Sequence, residues 1–135
     1  MLKSVKVQDY MATGLVTFRP ETDLFEAINL LLEHRISGAP VTDQHGVLVG
    51  LLSEVDCLRA ILTLTYHEEE VGGQVKDCMT TDVETVAHDA NIVEVAKLFI
   101  DKGRRRMPVI NDGKLVGQIS RRDVLRAVEE FAQHI

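Results

Sequence analysis

Residues 7–61 recur as residues 75–128, at an offset of 68 that falls to 67 once a residue is lost near His45. Eighteen positions are identical in that register, among them Asp9/Asp77, Met11/Met79, Thr13/Thr81, Pro40/Pro108, Gly50/Gly117, Ser53/Ser120, Asp56/Asp123 and Arg59/Arg126. Half of them are not generic core positions, so the likeness is structural and chemical together. A period this long does not suit a solenoid, and two copies are too few for one. The repeat predicts two similar subdomains, residues 1–66 and 67–135, packed about a pseudo-two-fold axis, and any ligand clefts should come as a related pair.

Each half alone is small, whereas a fold of 135 residues buries roughly 68–70% of its unfolded surface, so the halves are expected to depend on one another. The chain is 45% hydrophobic and 27% charged, as soluble globular proteins are. No apolar run reaches the ~18 residues of a membrane span, and MLKSVKVQDYM has no apolar signal core. A cytoplasmic protein without membrane contact is expected. Fifteen basic against 21 acidic residues, no Trp and 4% aromatics argue against a nucleic-acid surface. Cys57 and Cys78 fall at unrelated repeat positions without a CxxC, which reads as free thiols.

Leu15 to Phe18 reads as a strand. Asp23 then caps a helix whose apolar face is Leu24, Ala27, Ile28, Leu31 and Leu32; Asn91 and Ile92, Val95, Ala96, Phe99 and Ile100 repeat the device. Two short strands around a Gly-containing turn, at Asp43–Gly46 and Asn111–Gly113, form a hairpin in each copy, and a second helix opens at Ser53 or Ser120. The order is strand, helix, strand, strand, helix, twice, an α+β class, with an acidic linker over residues 66–73.

Each copy ends in Gly, two strand residues, then Ser-x-x-Asp: Gly50 to Asp56 and Gly117 to Asp123. Residues three apart on a first helical turn share a side, so hydroxyl, carboxylate and free backbone N–H groups converge. A carboxylate can accept from both hydroxyls of a ribose, and a helix start with a Ser hydroxyl favours phosphate. The same spacing is also a plain capping box, and the sequence leaves both readings open.

The repeated β-α-β-β-α halves, the Ala39-Pro40-Val41 and Met107-Pro108-Val109 steps, and the twin Gly-to-Asp endings resemble the tandem CBS domain pair, the Bateman-type module. The resemblance runs from about Val5 to Phe131. It implies a disc-like module with two clefts that take adenosine-containing ligands such as AMP, ADP, ATP or S-adenosylmethionine, and a tendency to dimerise. Carried over, Ser120 with Asp123 and Ser53 with Asp56 would hold ribose and phosphate. The base would meet Thr81, Asp82, Val83, Met107 and Pro108 in one cleft, and Thr13, Leu15, Ala39 and Pro40 in the other.

The clefts should differ. Arg104, Arg105, Arg106, Arg121 and Arg122 stand where the first copy has Ile36, Ser37, Gly38, Glu54 and Val55. Guanidinium groups match phosphate oxygens in forked geometry, so the second copy is expected to take the phosphorylated ligand. No nucleophile–base pair, P-loop or metal-ligand pattern is evident, His67 beside Glu68–Glu70 being the nearest to one, and no enzyme activity is expected. The expected function is a regulatory module that senses an adenosine compound and signals as a homodimer or to an effector protein in trans; the alternative is a ligand-free structural dimerisation module.

Overall fold

The computed structural model describes residues 1–67 and 73–134. Its two compact units are not the two contiguous halves of the sequence: one is Val16–Val83, and the other joins Met1–Leu15 to Glu84–Ile135. The segment that opens each repeat copy, residues 7–12 or 75–80, is thus packed with the hairpin and helices of one repeat or the other as a strap.

In the unit Val16–Val83, helix α1 (Leu24–His34) is followed by β1 (Gly38–Thr42), β2 (Leu48–Ser53) and α2 (Glu54–His67). Asp23 caps α1 as its spacing predicts, its carboxylate accepting from Phe25 N and Glu26 N at 3.1 and 3.2 Å. β1 and β2 pair antiparallel, Ala39 opposite Leu52. In the connecting turn Asp43 Oδ1 accepts from His45 N and Val47 N at 2.8 and 3.0 Å, and Gly46 supplies a φ of 81°. Phe18, Leu24, Ala27, Leu31, Ala39, Val41, Leu52, Cys57 and Val75 make the core. The expected linker begins later than its composition suggests, because α2 runs on to His67; its residues 68–72, with Glu68–Glu70, lie outside the described residues.

The other unit repeats this with β3 (Val86–Ala87), α3 (Ile92–Lys102), β4 (Arg106–Asn111), β5 (Lys114–Ser120) and α4 (Arg121–Gln133). Asn91 caps α3, accepting from Glu94 N at 2.9 Å. β3 runs parallel to β4, and β4 antiparallel to β5. Val7, Val86, Ile92, Val95, Phe99, Met107, Val109, Ile119, Val124 and Ala127 form its core.

The leading strand develops in one unit only. His88 N donates to Ile110 O at 3.0 Å and lengthens β3. The matching residue is Pro20, which has no N–H, so pairing stops at a single parallel bridge, Phe18 with Val41; residues 15–17 of the expected strand Leu15–Phe18, like 83–85 in the other unit, lie outside any strand.

Candidate functional site

Both Ser-x-x-Asp segments sit where the second strand of a hairpin turns into a helix, and a strap bridges to that strand in each unit. Leu51 and Thr80 exchange backbone hydrogen bonds at 2.9 Å each, as do Ala12 and Gln118 at 2.8 and 3.0 Å. The crossing is close enough to forbid a side chain beneath it. A Cβ at Gly50 would lie 2.7 Å from Met79 Sδ and 3.0 Å from Thr80 O; at Gly117 it would lie 2.6 Å from Met11 Sδ and 2.7 Å from Ala12 O. That accounts for the paired identities Gly50/Gly117 and Met11/Met79, and it fixes the strap two residues ahead of each serine.

Both serines make capping boxes. Ser120 Oγ accepts from Asp123 N at 3.1 Å, and Asp123 Oδ2 accepts from Ser120 N at 2.9 Å. Ser53 and Asp56 do the same at 3.2 and 2.9 Å. Capping therefore occupies one carboxylate oxygen in each copy and leaves Oδ1 to distinguish them.

At Asp56 little acceptor capacity is left. The Ser53 hydroxyl donates to Oδ2 at 3.0 Å, and the Thr80 hydroxyl reaches Oδ1 at 3.1 Å and Oδ2 at 3.4 Å; the side chain is 7% exposed. At Asp123, Oδ1 meets only the Arg126 guanidinium among the described residues, at 3.4 Å, and the side chain is 17% exposed. Arg126 also donates to Tyr10 O at 2.9 Å, so the strap holds that guanidinium in place. Thr80 is absent from the residues singled out by sequence. The available signal was a repeat mismatch, Thr80 against Ala12.

The five arginines gather at one end of the second unit. Arg106 pairs with Ser120 across β4 and β5, Arg121 N donates to Arg105 O at 3.1 Å, and Arg121 Nε donates to Arg104 O at 2.6 Å. All five side chains, Arg122 included, are exposed. The helix start bearing Ser120 and Asp123 thus stands among them, whereas the equivalent end of the other unit carries Ile36, Ser37, Gly38, Glu54 and Val55.

The apolar candidates are distributed differently. Ala39 and Met107 are each 1% exposed within their unit's core, so they would reach a ligand through their backbone. Pro40 and Pro108 are buried as well. Thr81, Asp82 and Val83, read from sequence with Asp123, belong to the unit of Asp56; Thr13 and Leu15, read with Asp56, belong to the unit of Asp123. Thr13, Thr81 and Asp82 are exposed.

Both cysteines are free, and burial raises each thiol above the ordinary range, with neighbouring acidic groups adding to it. Among the described residues no group of His, Cys, Asp and Glu could hold a metal ion, and no helix is long and apolar enough to cross a membrane.

The CBS domain model matches the chain twice, over residues 7–63 and 75–130, and the chain belongs to the CBS domain family as a tandem pair. Its fold is that of CBSX2, a CBS-pair protein of Arabidopsis thaliana. The crystal structure of CBSX2 in complex with AMP shares 31% sequence identity, covers 95% of this chain and 98% of that one, and superposes with a TM-score of 0.80. An uncharacterized protein of Methanocaldococcus jannaschii is 28% identical over 90% of each chain. The inosine-5'-monophosphate dehydrogenase of that organism is 32% identical over 90% of this chain, which spans 23% of the enzyme. Other relatives are also longer, the chain spanning 41% of one and 63% of another.

Proposed function

We propose that this CBS pair is a regulatory module that binds an adenosine-containing ligand, AMP, ADP or ATP, through the helix start at Ser120 and Asp123. The observation that carries this is the contrast between the two carboxylates: Asp56 is buried and accepts from the Ser53 and Thr80 hydroxyls, while Asp123 is more exposed, has only Arg126 at Oδ1 among the described residues, and stands among five arginines, so that it would accept from a ribose hydroxyl. Arg104, Arg106, Arg121 and Arg122 would bind phosphate, and Thr13, the residue after the Ala12–Gln118 crossing, would meet the base or sugar. The AMP complex of CBSX2 supports the ligand class. S-adenosylmethionine lacks phosphate and would leave the arginines unused. The Ser53 and Asp56 end would stay empty or take an uncharged nucleoside.

Occupancy is read out through association or shape. Leu32 and Leu58 on α1 and α2, and Ile100 and Leu125 on α3 and α4, are exposed apolar residues at matching repeat positions, which suits a homodimer. An effector protein in trans would read the ligand-dependent state.

Thermal melting with AMP, ADP, ATP and free adenine tests the ligand class. A ligand specific for the folded state at 100 times its Kd adds about 2.7 kcal/mol, or roughly 5–10 °C for a chain of this size. The nucleotides are expected to give such a shift and adenine a much smaller one. No shift with any of them at millimolar concentration would leave the ligand-free dimerisation module as the reading.

A further inference from the structure

A pocket of about 530 Å³ opens in the unit Val16–Val83, between α2 and the strap that ends at Thr80. The corresponding place in the other unit carries larger side chains. There Tyr10 donates its hydroxyl to Glu130 Oε2 at 2.6 Å, its ring lies 5.7 Å beneath the Arg126 guanidinium, and Val5 packs on the core. The frame is the same in both units. Met79 N donates to Val75 O and Leu24 N to Gly73 O, at 2.9 Å each; Met11 N donates to Val7 O at 2.9 Å and Ile92 N to Val5 O at 3.0 Å.

Three side chains differ: Gly73 replaces Val5, Cys78 replaces Tyr10 and Thr63 replaces Glu130. Each change removes volume. Arg59 is retained in the place of Arg126, yet Cys78 offers it no ring, and its side chain is 75% exposed. Asp77 is retained in the place of Asp9. The pocket is therefore a slot for an aromatic side chain from which the side chain has been deleted while its walls were kept, and such a cavity takes a molecule of the missing shape.

We propose that this pocket binds a small neutral aromatic molecule bearing a hydroxyl or amino group, its ring under Arg59 and its donor toward Thr63. The guanidinium attracts the ring face. The Asp56 and Asp77 carboxylates on the wall repel an anion. Only Asp56 is shared with the residues considered for nucleotide binding, and the proposal stands apart from that function.

The test is an NMR titration of the isotope-labelled full chain with p-cresol, which is the tyrosine side chain as a free molecule, beside cyclohexanol and benzoate. Saturable shifts at the amides of Gly73, Cys78, Met79 and Ala60 are expected with p-cresol, and weak ones with the controls. Cys78→Tyr and Gly73→Val refill the slot. The second is sterically open, since a Cβ at Gly73 meets only Asp77 Oδ2 at 3.9 Å. Each is expected to weaken p-cresol binding by about tenfold or more and to raise the melting temperature, with the response to AMP unchanged. Should Cys78→Tyr fail to fold, Gly73→Val carries the comparison. Absence of saturable shifts in the wild type, equal binding of cyclohexanol, undiminished binding to the folded Gly73→Val variant, or loss of the AMP response in that variant would each overturn the assignment of a separate aromatic site.

Discussion

Thr80 donates its hydroxyl to the buried carboxylate of Asp56, 3.1 Å to Oδ1, and Ala12 at the matching position has no hydroxyl to offer Asp123. This side-chain difference on the strap gives Asp56 a donor that Asp123 lacks. In each unit the strap pairs with the strand whose sequence leads to Ser-x-x-Asp.

Thr80→Ala removes a hydrogen bond to a charged, buried acceptor. It is expected to lower stability by about 1–2 kcal/mol, measured by urea unfolding, and to leave AMP binding at Ser120 and Asp123 unchanged. A loss of AMP affinity would show that Asp56 and its partner belong to the occupied site.

Gly117→Ala places a Cβ 2.7 Å from the Ala12 carbonyl and 2.6 Å from Met11 Sδ. Overpacking of this kind costs about 1–3 kcal/mol. Because the carbonyl is backbone, pairing it with Met11→Ala should recover only part of that loss. Full recovery in the double variant would place the whole conflict on the flexible thioether.

The hydrogen bond to Glu130, with burial and the Glu130 charge behind it, holds the Tyr10 phenol above its ordinary pKa. The folded chain keeps that proton more firmly than the unfolded chain does. This contribution to stability is complete below the ordinary phenol value near 10 and is lost as pH rises through the higher folded value. Glu130→Gln should move the Tyr10 titration downward, followed by phenolate absorbance; an unmoved titration would remove the carboxylate as the cause.

Burial raises both thiols, so Cys57 and Cys78 should stay protonated at neutral pH and react slowly with alkylating reagents in the folded protein. Cys57, with 5% of its surface exposed, should be the slower. Rapid labelling of Cys57 under native conditions would contradict its place in the core.

The exposed leucines of the helices test association. Light scattering is expected to give a dimer, and Leu58→Glu or Leu125→Glu a shift toward monomer, since these side chains are 61% and 69% exposed in the single chain. A wild-type monomer at all accessible concentrations would contradict the dimer.

Much of this was legible in sequence because its signals are local. Asp23 and Asn91 read as caps and are caps, the Gly-containing turns make hairpins, and both Ser-x-x-Asp segments start helices with their boxes formed. Of the expected strand Leu15–Phe18 only Phe18 pairs, and Pro20, which has no N–H, cannot carry the pairing further as His88 does. What the repeat could not show was the packing of the straps. Register assigns Thr81 to the second copy, yet tertiary contacts place its neighbour Thr80 on Asp56 of the first, and no periodicity reports that exchange. The burial of Ala39 and Met107 was likewise hidden, since an apolar strand residue reads the same whether it faces a core or a ligand.

Calorimetric titration of AMP into the wild type, Asp123→Asn and Asp56→Asn tests the central claim most directly. Asparagine keeps an acceptor for the capping bond while removing the charge. The account predicts that Asp56→Asn binds within about threefold of the wild type and that Asp123→Asn is weakened by about tenfold or more, the size of one hydrogen bond to a charged group. Equal losses, or the larger loss at Asp56, would contradict it.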